Sequence, residues 1–485
     1  MAITDATAVG RAMANYYRMH PDKAQFTRSQ QTLRFFKPPK MAMKGEENYY
    51  FVFVQPMSAA RGMGDAVTAE KLELPAPRQI DHKKVKILWS DLYQFGGSLE
   101  YTDLSEAKTK DRKMAIYRTA RKLMGTVDAD IGTLVNAALH QNADLTMATI
   151  EAIYDEDTTG YTGGQVNAYV KITGGSIMQF AVGQRIDFRN AADGTDIRLC
   201  AYINDIYATS TGPTGTAAYG PGFTCTIDAT ENAVERFGAA GTAVGDANMD
   251  AVAIGDEIVM SEHADSTNFQ SLAAWFSHTT DVFDITRAAV GSAWSIPHIR
   301  AWGGVTLDLE THLGTMAEEL AYAVNFGRQQ RLDEGMVITS AAMVLLGTPR
   351  LISEASRQVG DQVQYTSAID GDTKKKLFGT SGFDGAFWHN PILKAPISFV
   401  SDPVATPGYA RLLEPSSWQF VIGHEGASPT AVQWLDKAGL WHQKMGSNGR
   451  LTPQLVAGWL TRVALMNDQP KTNYEHQGLK SSLEA

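Results

Sequence analysis

The sequence predicts an α+β fold with an all-β domain inserted into it. Three observations carry that prediction. Residues 49–54 (YYFVFV) and 84–89 (KVKILW) read as two strands joined by a long polar connection. Ile116, Ala120, Leu123, Val127, Ile131, Leu134 and Ala138 follow at steps of 4, 3, 4, 4, 3 and 4, the spacing of an apolar helical stripe. Residues 160–265 turn rich in Gly, Thr, Ala and Asp and alternate apolar with polar side chains, the two-residue period of a strand.

The elements are justified in order along the chain. Residues 1–44 hold eight basic side chains against two acidic ones, a net +6. Two readings stand side by side: an arm laid across a neighbouring molecule, packaged DNA or an acidic partner, or a solvated terminus. Near its end runs Arg34-Phe35-Phe36-Lys37-Pro38-Pro39. The proline pair forces extended backbone and ends any helix before it. The two phenylalanines need cover, from the chain's own body or from a neighbour. Residues 49–54 have the length and β-branched, aromatic composition of a buried strand, which Pro56 ends. Residues 58–79 are polar and Gly-rich and include Arg61 and Lys71. At over twenty residues this connection is too long to be idle in a compact domain. On the return run Val85, Ile87 and Trp89 share one face, and Lys84 and Lys86 the other.

Asp103 and Glu106 resemble a capping box opening the long helix, predicted over residues 103–141. Arg112, Lys113, Arg118, Arg121 and Lys122 lie off its stripe. Gly125 and Gly132 inside it cost about 1 kcal/mol each relative to Ala unless another backbone packs close. In the β segment, Val182-Gly-Gln-Arg-Ile186 and Ile254-Gly-Asp-Glu-Ile258 echo each other as Gly turns feeding strands, a common entry to a small barrel or sandwich. Residues 266–485 return to mixed structure. A helix is expected over 306–328, a strand over 336–340, a helix opening at 341–346, an exposed loop with Lys374, Lys375 and Lys376 over 360–381, strands at 397–400 and 418–422, and a polar, extended tail from Asn467.

At 485 residues, with 44% hydrophobic and 20% charged side chains, the chain can bury two to four domain-sized cores of about 100–200 residues each, which excludes global disorder. No apolar run reaches membrane-spanning length, and the N-terminus lacks the apolar core of a secretory signal, so the expectation is no membrane and no secretion. The net charge of −10 argues against nucleic-acid binding as the chain's main business. The two cysteines, Cys200 and Cys225, fit no metal spacing and read as reduced thiols.

The sequence contains no phosphate-binding loop, dinucleotide fingerprint, zinc-protease motif or nucleophile elbow. His424-Glu425-Gly426 lacks the second histidine a zinc site needs. His278, Asp281 and Asp284 would form a local metal or acid–base cluster, or a plain surface turn before Arg287. Asp193, Asp196 and Asp205 lack calcium-loop spacing. Trp275, Trp294 and Trp302 would build a ligand cage or an irregular core corner. Lys374–Lys376 reads as a solvated loop. No catalytic, cofactor-binding or metal-ligating residue is assigned, no cofactor is expected, and the chain is not expected to be an enzyme.

The order of basic arm, strand, long loop, return strand and long helix resembles the Hong Kong 97-like capsid fold of tailed bacteriophages. The resemblance covers about three quarters of the chain and rests on element order, since the family has no strict motif. It implies an N-arm at 1–44, an E-loop at 45–97, a peripheral domain with a spine helix at 98–159, an inserted β-barrel or sandwich at 160–265, and the rest of the peripheral domain with the axial domain at 266–485. Residues 378–388, Pro391 and Asp402-Pro403 look like the late β region of phage coat proteins. The implied function is that of a major capsid protein assembling an icosahedral shell around double-stranded DNA, located in the virion and, during assembly, in the host cytoplasm. Implied partners are copies of itself in pentamers and hexamers, a portal, non-specific packaged DNA, a decoration protein, and a separate scaffolding protein, since the arm begins at Met1 with no scaffolding segment expected before it. Arg34, Phe35, Phe36, Arg61 and Lys71 are the expected inter-subunit contacts; nothing marks Lys71 for covalent cross-linking. Rival readings are a tail-tube or sheath subunit, and a metal-dependent hydrolase using His278, Asp281 or Asp284.

Overall fold

A computed structural model describes residues 32–43, 47–53, 82–102, 129, 131–141, 146–154, 166–192, 197–208, 220–227, 249–260, 269–289, 295–316, 318–319, 343–363, 387–390, 395–423, 433–434, 442–445 and 451–482. The strands in chain order begin with β1 (Lys37–Met43), β2 (Glu47–Phe53), β3 (His82–Leu88), β4 (Tyr93–Thr102), β5 (Thr146–Tyr154), β6 (Asn167–Thr173) and β7 (Arg185–Arg189). They continue with β8 (Ile197–Tyr207), β9 (Gly222–Ile227), β10 (Glu257–Met260), β11 (His298–Thr306), β12 (Met343–Gly347) and β13 (Phe387–Asn390). The last are β14 (Ala395–Ser401), β15 (Tyr409–Leu413), β16 (Trp418–Gly423), β17 (Gln433–Trp434), β18 (His442–Met445), β19 (Leu451–Asn467) and β20 (Tyr474–Lys480). The helices used below are α1 (residues 131–140), the single turn α2 (Leu272–Trp275) and α3 (Pro349–Val363).

Among the described residues these strands make two six-stranded sheets, a closed barrel and a hairpin. The first sheet is organised by β19, which pairs antiparallel with β16, β4, β17 and β18; β1 joins the outer side of β16 in parallel. Its core packs Trp418, Phe420, Tyr93, Phe95, Val463 and Leu465 against Trp275 of α2 and Ile131, Val135 and Leu139 of α1. Each such fully buried large side chain contributes about 1.5–3 kcal/mol relative to exposure. The stripe predicted for the helix is visible at Ile131, Leu134 and Ala138, but α1 is buried well beyond it. Ala137 faces the barrel core, Val135 and Leu139 face the sheet core, and Leu134 packs against both, so the helix is wedged between two apolar clusters. The predicted start of that helix lies outside the described residues.

The barrel closes in the order β10-β5-β6-β9-β8-β7, antiparallel throughout. Ile150, Val170, Ile172, Phe188, Leu199, Ile203, Phe223 and Ile258 fill it. Its first strand, β5, falls in the stretch assigned above to the body at 98–159, because the Gly- and Thr-rich composition begins only after that strand. The two echoing turns feed β7 and β10, which pair with each other, and both turns place a glycine in the left-handed region, Gly183 at φ 80° and Gly255 at φ 94°.

The second sheet runs β11-β20-β15-β12-β14-β13. Two expectations fail here. Residues 341–346 were expected to open a helix, yet Met343–Gly347 is β12, buried along its whole length between β14 and β15. A five-residue run of uniform apolarity has no period to separate strand from helix. The helix starts later, at Pro349 of α3, where proline suits a first helical position. Residues 298–306 form β11, so the helix expected from Thr306 begins instead as a π-helical turn, Leu309–Leu313, capped by the Asp308 side chain accepting from the Thr311 amide. The tail from Asn467 is extended as expected, but β20 runs inside the sheet between β11 and β15 and buries Tyr474, Glu475 and His476. Buried polar groups need partners. Arg411 of β15 pairs with Glu475 at 2.5 Å, and the Trp302 indole donates to Nδ1 of His476 at 2.8 Å. The expected strand 336–340 and the lysine run 374–376 lie outside the described residues.

Candidate functional site

The β2–β3 hairpin pairs with no other strand among the described residues. Its register, Glu47 opposite Leu88 through Phe53 opposite His82, sorts the side chains onto two faces. On the inner face Tyr50, Val85 and Ile87 are buried against Val421, Ala464 and Met466 of the first sheet. Tyr50 stacks edge-on with Phe283 at 5.9 Å, and burial raises its phenol pKa well above the ordinary value. Phe283 has φ 54°, a left-handed conformation that costs a non-glycine residue about 1–3 kcal/mol. Neighbouring contacts hold it there: Asp284 accepts from the Lys86 amide at 3.0 Å and so ties this turn to β3.

The outer face of the hairpin carries Glu47, Tyr49, Lys84, Lys86 and Leu88. The Lys84 ammonium sits 3.6 Å from the Tyr49 ring centroid, and Lys86 pairs with Glu47 at 2.5 Å. That pairing lowers the Glu47 pKa and raises that of Lys86. Tyr49 and Leu88 remain exposed on this face. Residues 54–81, which hold Arg61 and Lys71, lie outside the described residues.

The segment before β1 is fixed by a buried carboxylate. Asp402 accepts from the Thr32 hydroxyl, from Asn136 Nδ2 at 3.0 Å and from the Val404 amide at 2.9 Å, and His140 Nε2 lies 3.6 Å away. Burial alone would raise this carboxyl, but His140, the Thr32 hydroxyl and the Val404 amide outweigh it and hold the pKa well below the usual range. The same loop receives the barrel, through Ser176 Oγ to the Pro403 carbonyl at 2.7 Å and Gln179 Nε2 to the Val404 carbonyl at 3.2 Å. Residues 32–36, α1, the barrel and the second sheet therefore meet at residues 402–406.

Of the expected inter-subunit contacts, two phenylalanines fall among residues whose packing is described. Phe36 is buried in the chain's own core, 5.4 Å from Phe420 and 6.2 Å from Trp418. Its cover comes from the chain's own body. Phe35 packs partly against the same cluster. The side chain of Arg34 is outside the described set.

The residues weighed for metal or ligand chemistry do other work. Asp281 accepts from the Arg287 amide at 2.9 Å and Asp284 from the Lys86 amide, so each carboxylate serves a different strand or turn. Among the described residues no three His, Cys, Asp or Glu side chains are grouped to hold a metal ion. His278 lines a cleft of about 600 Å³ with Phe276, Tyr409, Arg411 and Glu475. Trp275 is core, donating its indole N–H to the Leu465 carbonyl at 3.0 Å, and Trp302 serves His476, so these two indoles do not share a cage. Trp294, Asp193, Asp196 and His424 lie outside the described residues. Cys200 and Cys225 are buried thiols on adjacent strands; burial and Asp187 push Cys200 up to about 12. Sequence reasoning missed Arg287, whose guanidinium donates to the carbonyls of Ala274, Trp275, Ser277 and Ser295 and shapes the turn beneath the hairpin. Only its place after Asp281 and Asp284 hinted at this.

No family model matches the chain, and no curated protein matches it. Among solved structures it is similar to the capsid asymmetric unit of cyanophage A-1(L), at 10% identity over 92% of both chains with a TM-score of 0.37. It is similar to a chain of the satellite phage P4 procapsid, at 8% identity over 94% of this chain and 89% of that one, TM-score 0.35. It is also similar to the capsid of a native GTA particle, at 8% identity over 93% and 91%, TM-score 0.36.

Proposed function

We propose that this chain is the major capsid protein of a tailed bacteriophage, a non-enzymatic subunit with a Hong Kong 97-like fold that assembles the shell around double-stranded DNA. The observation that carries the reading is the hairpin. Its inner face is anchored in the body, its outer face presents Tyr49 and Leu88 to solvent, and 28 residues separate its two strands. A connection of that length is characteristically functional. Residues 45–97 are then the E-loop, 1–44 the N-arm that reaches the body at the Asp402 junction, 98–145 the peripheral domain with its spine helix, with β5 passing to the barrel, and 266–485 the remaining peripheral and axial parts. The barrel is the inserted domain. Partners in this reading are copies of the chain, a scaffolding protein, a portal, a decoration protein and packaged DNA, and the place of action is the virion, after assembly in the host cytoplasm. Recurrent contacts of modest strength multiply into a stable shell.

Deleting residues 57–80 tests this. The expected product keeps the melting transition of the full chain and forms no shells by electron microscopy. Shells from the deleted protein would overturn the E-loop assignment.

A further inference from the structure

The cleft beside His278 contains a guanidinium that the fold uses by one arm only. Arg411 of β15 lines this cleft of about 600 Å³ and is 3% exposed. Its Nε donates to Glu475 Oε2 at 2.5 Å, and no described residue accepts from Nη1 or Nη2. Both Glu475 oxygens are already engaged, Oε2 by Arg411 and Oε1 by Gln477 Nε2 at 2.7 Å. The guanidinium carbon lies 5.5 Å from the Tyr409 ring centroid and 5.9 Å from that of Phe276, so aromatic contacts fix its position. An ion pair that served stability alone would spend the guanidinium on two parallel bonds, the stronger arrangement. Here Nη1 and Nη2 are held in place and left without an acceptor, and buried donors require one.

The walls define what would fit. A planar group with two oxygens matches the guanidinium fork. The charged side chains on the walls are Arg411 and Glu475, with His278 at the rim. A dianion such as phosphate would set its second charge against Glu475, whereas a singly charged carboxylate would not. Phe276, Tyr409, Ile299 and Ala273 supply apolar wall beside the fork. The volume falls within the range of about 300–1,000 Å³ usual for small-ligand sites.

We propose that this cleft binds a monocarboxylate carried on a small apolar body, with its two oxygens received side by side by Nη1 and Nη2 of Arg411. A free organic acid and an Asp or Glu side chain of a bound peptide share this chemistry. The inference concerns the single chain, so it stands or falls independently of the shell reading above.

Calorimetric titration of the full-length chain tests it, with phenylacetate, its neutral isostere phenylacetamide, inorganic phosphate and the capped peptide acetyl-Asp-Phe-amide as probes. The expected result is one saturable carboxylate site per chain, with phenylacetamide weaker by about tenfold or more. Arg411→Lys keeps a cation for Glu475 but loses the fork, and is expected to weaken binding by about tenfold. Ala273→Phe leaves Arg411 intact, fills the apolar wall and is expected to abolish binding. Melting curves check that each variant is folded, and the phenylacetamide comparison, made on the unaltered chain, decides where one is not. The tighter of phenylacetate and the peptide identifies the source as a free acid or an acidic side chain. No saturable binding of either acid, equal binding of phenylacetamide, tighter binding of phosphate, or unchanged affinity in either folded variant overturns the inference.

Discussion

His476 is fully buried on β20, its Nδ1 accepting from the Trp302 indole, and burial, with His312 and Arg300 nearby, holds its pKa down to about 3 against an ordinary 6.5. The imidazole is therefore neutral in the folded chain and takes up a proton only on unfolding. The unfolded state binds more protons between pH 6.5 and 3, so stability falls as the pH drops through that window. At about pH 4.5 the unfolded imidazole is about two pH units below its pKa while the folded one is still neutral, a loss of about 2.7 kcal/mol at about 1.36 kcal/mol per unit. The perturbation that isolates this is His476→Gln, which keeps an acceptor for Trp302 and cannot titrate. Urea unfolding of the purified subunit at pH 7.5 and 4.5, followed by tryptophan fluorescence, gives four free energies. The wild type is expected to lose about 2–3 kcal/mol more on acidification than the variant. Equal losses would show that His476 is not the neutral buried group described here and would refute the argument.

Other outcomes follow from the same contacts. Asp402→Ala leaves Thr32, Asn136 and His140 without their shared acceptor and is expected to cost about 3–5 kcal/mol in urea unfolding; a loss under about 1 kcal/mol would mean the junction is not held by this carboxylate. Phe36→Ala removes a ring packed on Trp418 and Phe420 and is expected to cost about 3–5 kcal/mol, whereas a neutral effect would return Phe36 to the role of an external contact. A Cβ on Gly175 would sit 1.9 Å from the Met147 carbonyl oxygen, so Gly175→Ala forces the backbone beside β5 to move; a melting temperature unchanged from wild type would count against the barrel geometry.

The sequence announced the elements whose pattern is local. The alternation of Val85 and Ile87 with Lys84 and Lys86 gave β3 its faces, and the apolar runs at 397–400 and 418–422 are β14 and β16. The strand texture of 160–265 points to the barrel, but β5 lacks that texture and was read as body. What could not be read depends on distant partners. Strand β20, YEHQGLK, looks like a solvated tail because its burial requires Arg411, 64 residues earlier, and Trp302, 174 residues earlier. Phe36 was ambiguous for the same reason, since its cover comes from Trp418 and Phe420. The hairpin was legible as a shape, and β3 announced its apolar face, but the inner face of β2 was not legible, because the uniformly apolar run YYFVFV has no alternation and Tyr50 is singled out as inner by its packing on Phe283, Val421 and Met466.

The central claim is that this chain builds a closed shell, and electron microscopy of the purified wild-type assembly tests it most directly. Closed polyhedral particles with five- and six-fold clusters are predicted. Tubes, stacked rings or a monodisperse monomer at concentrations that support assembly would contradict it.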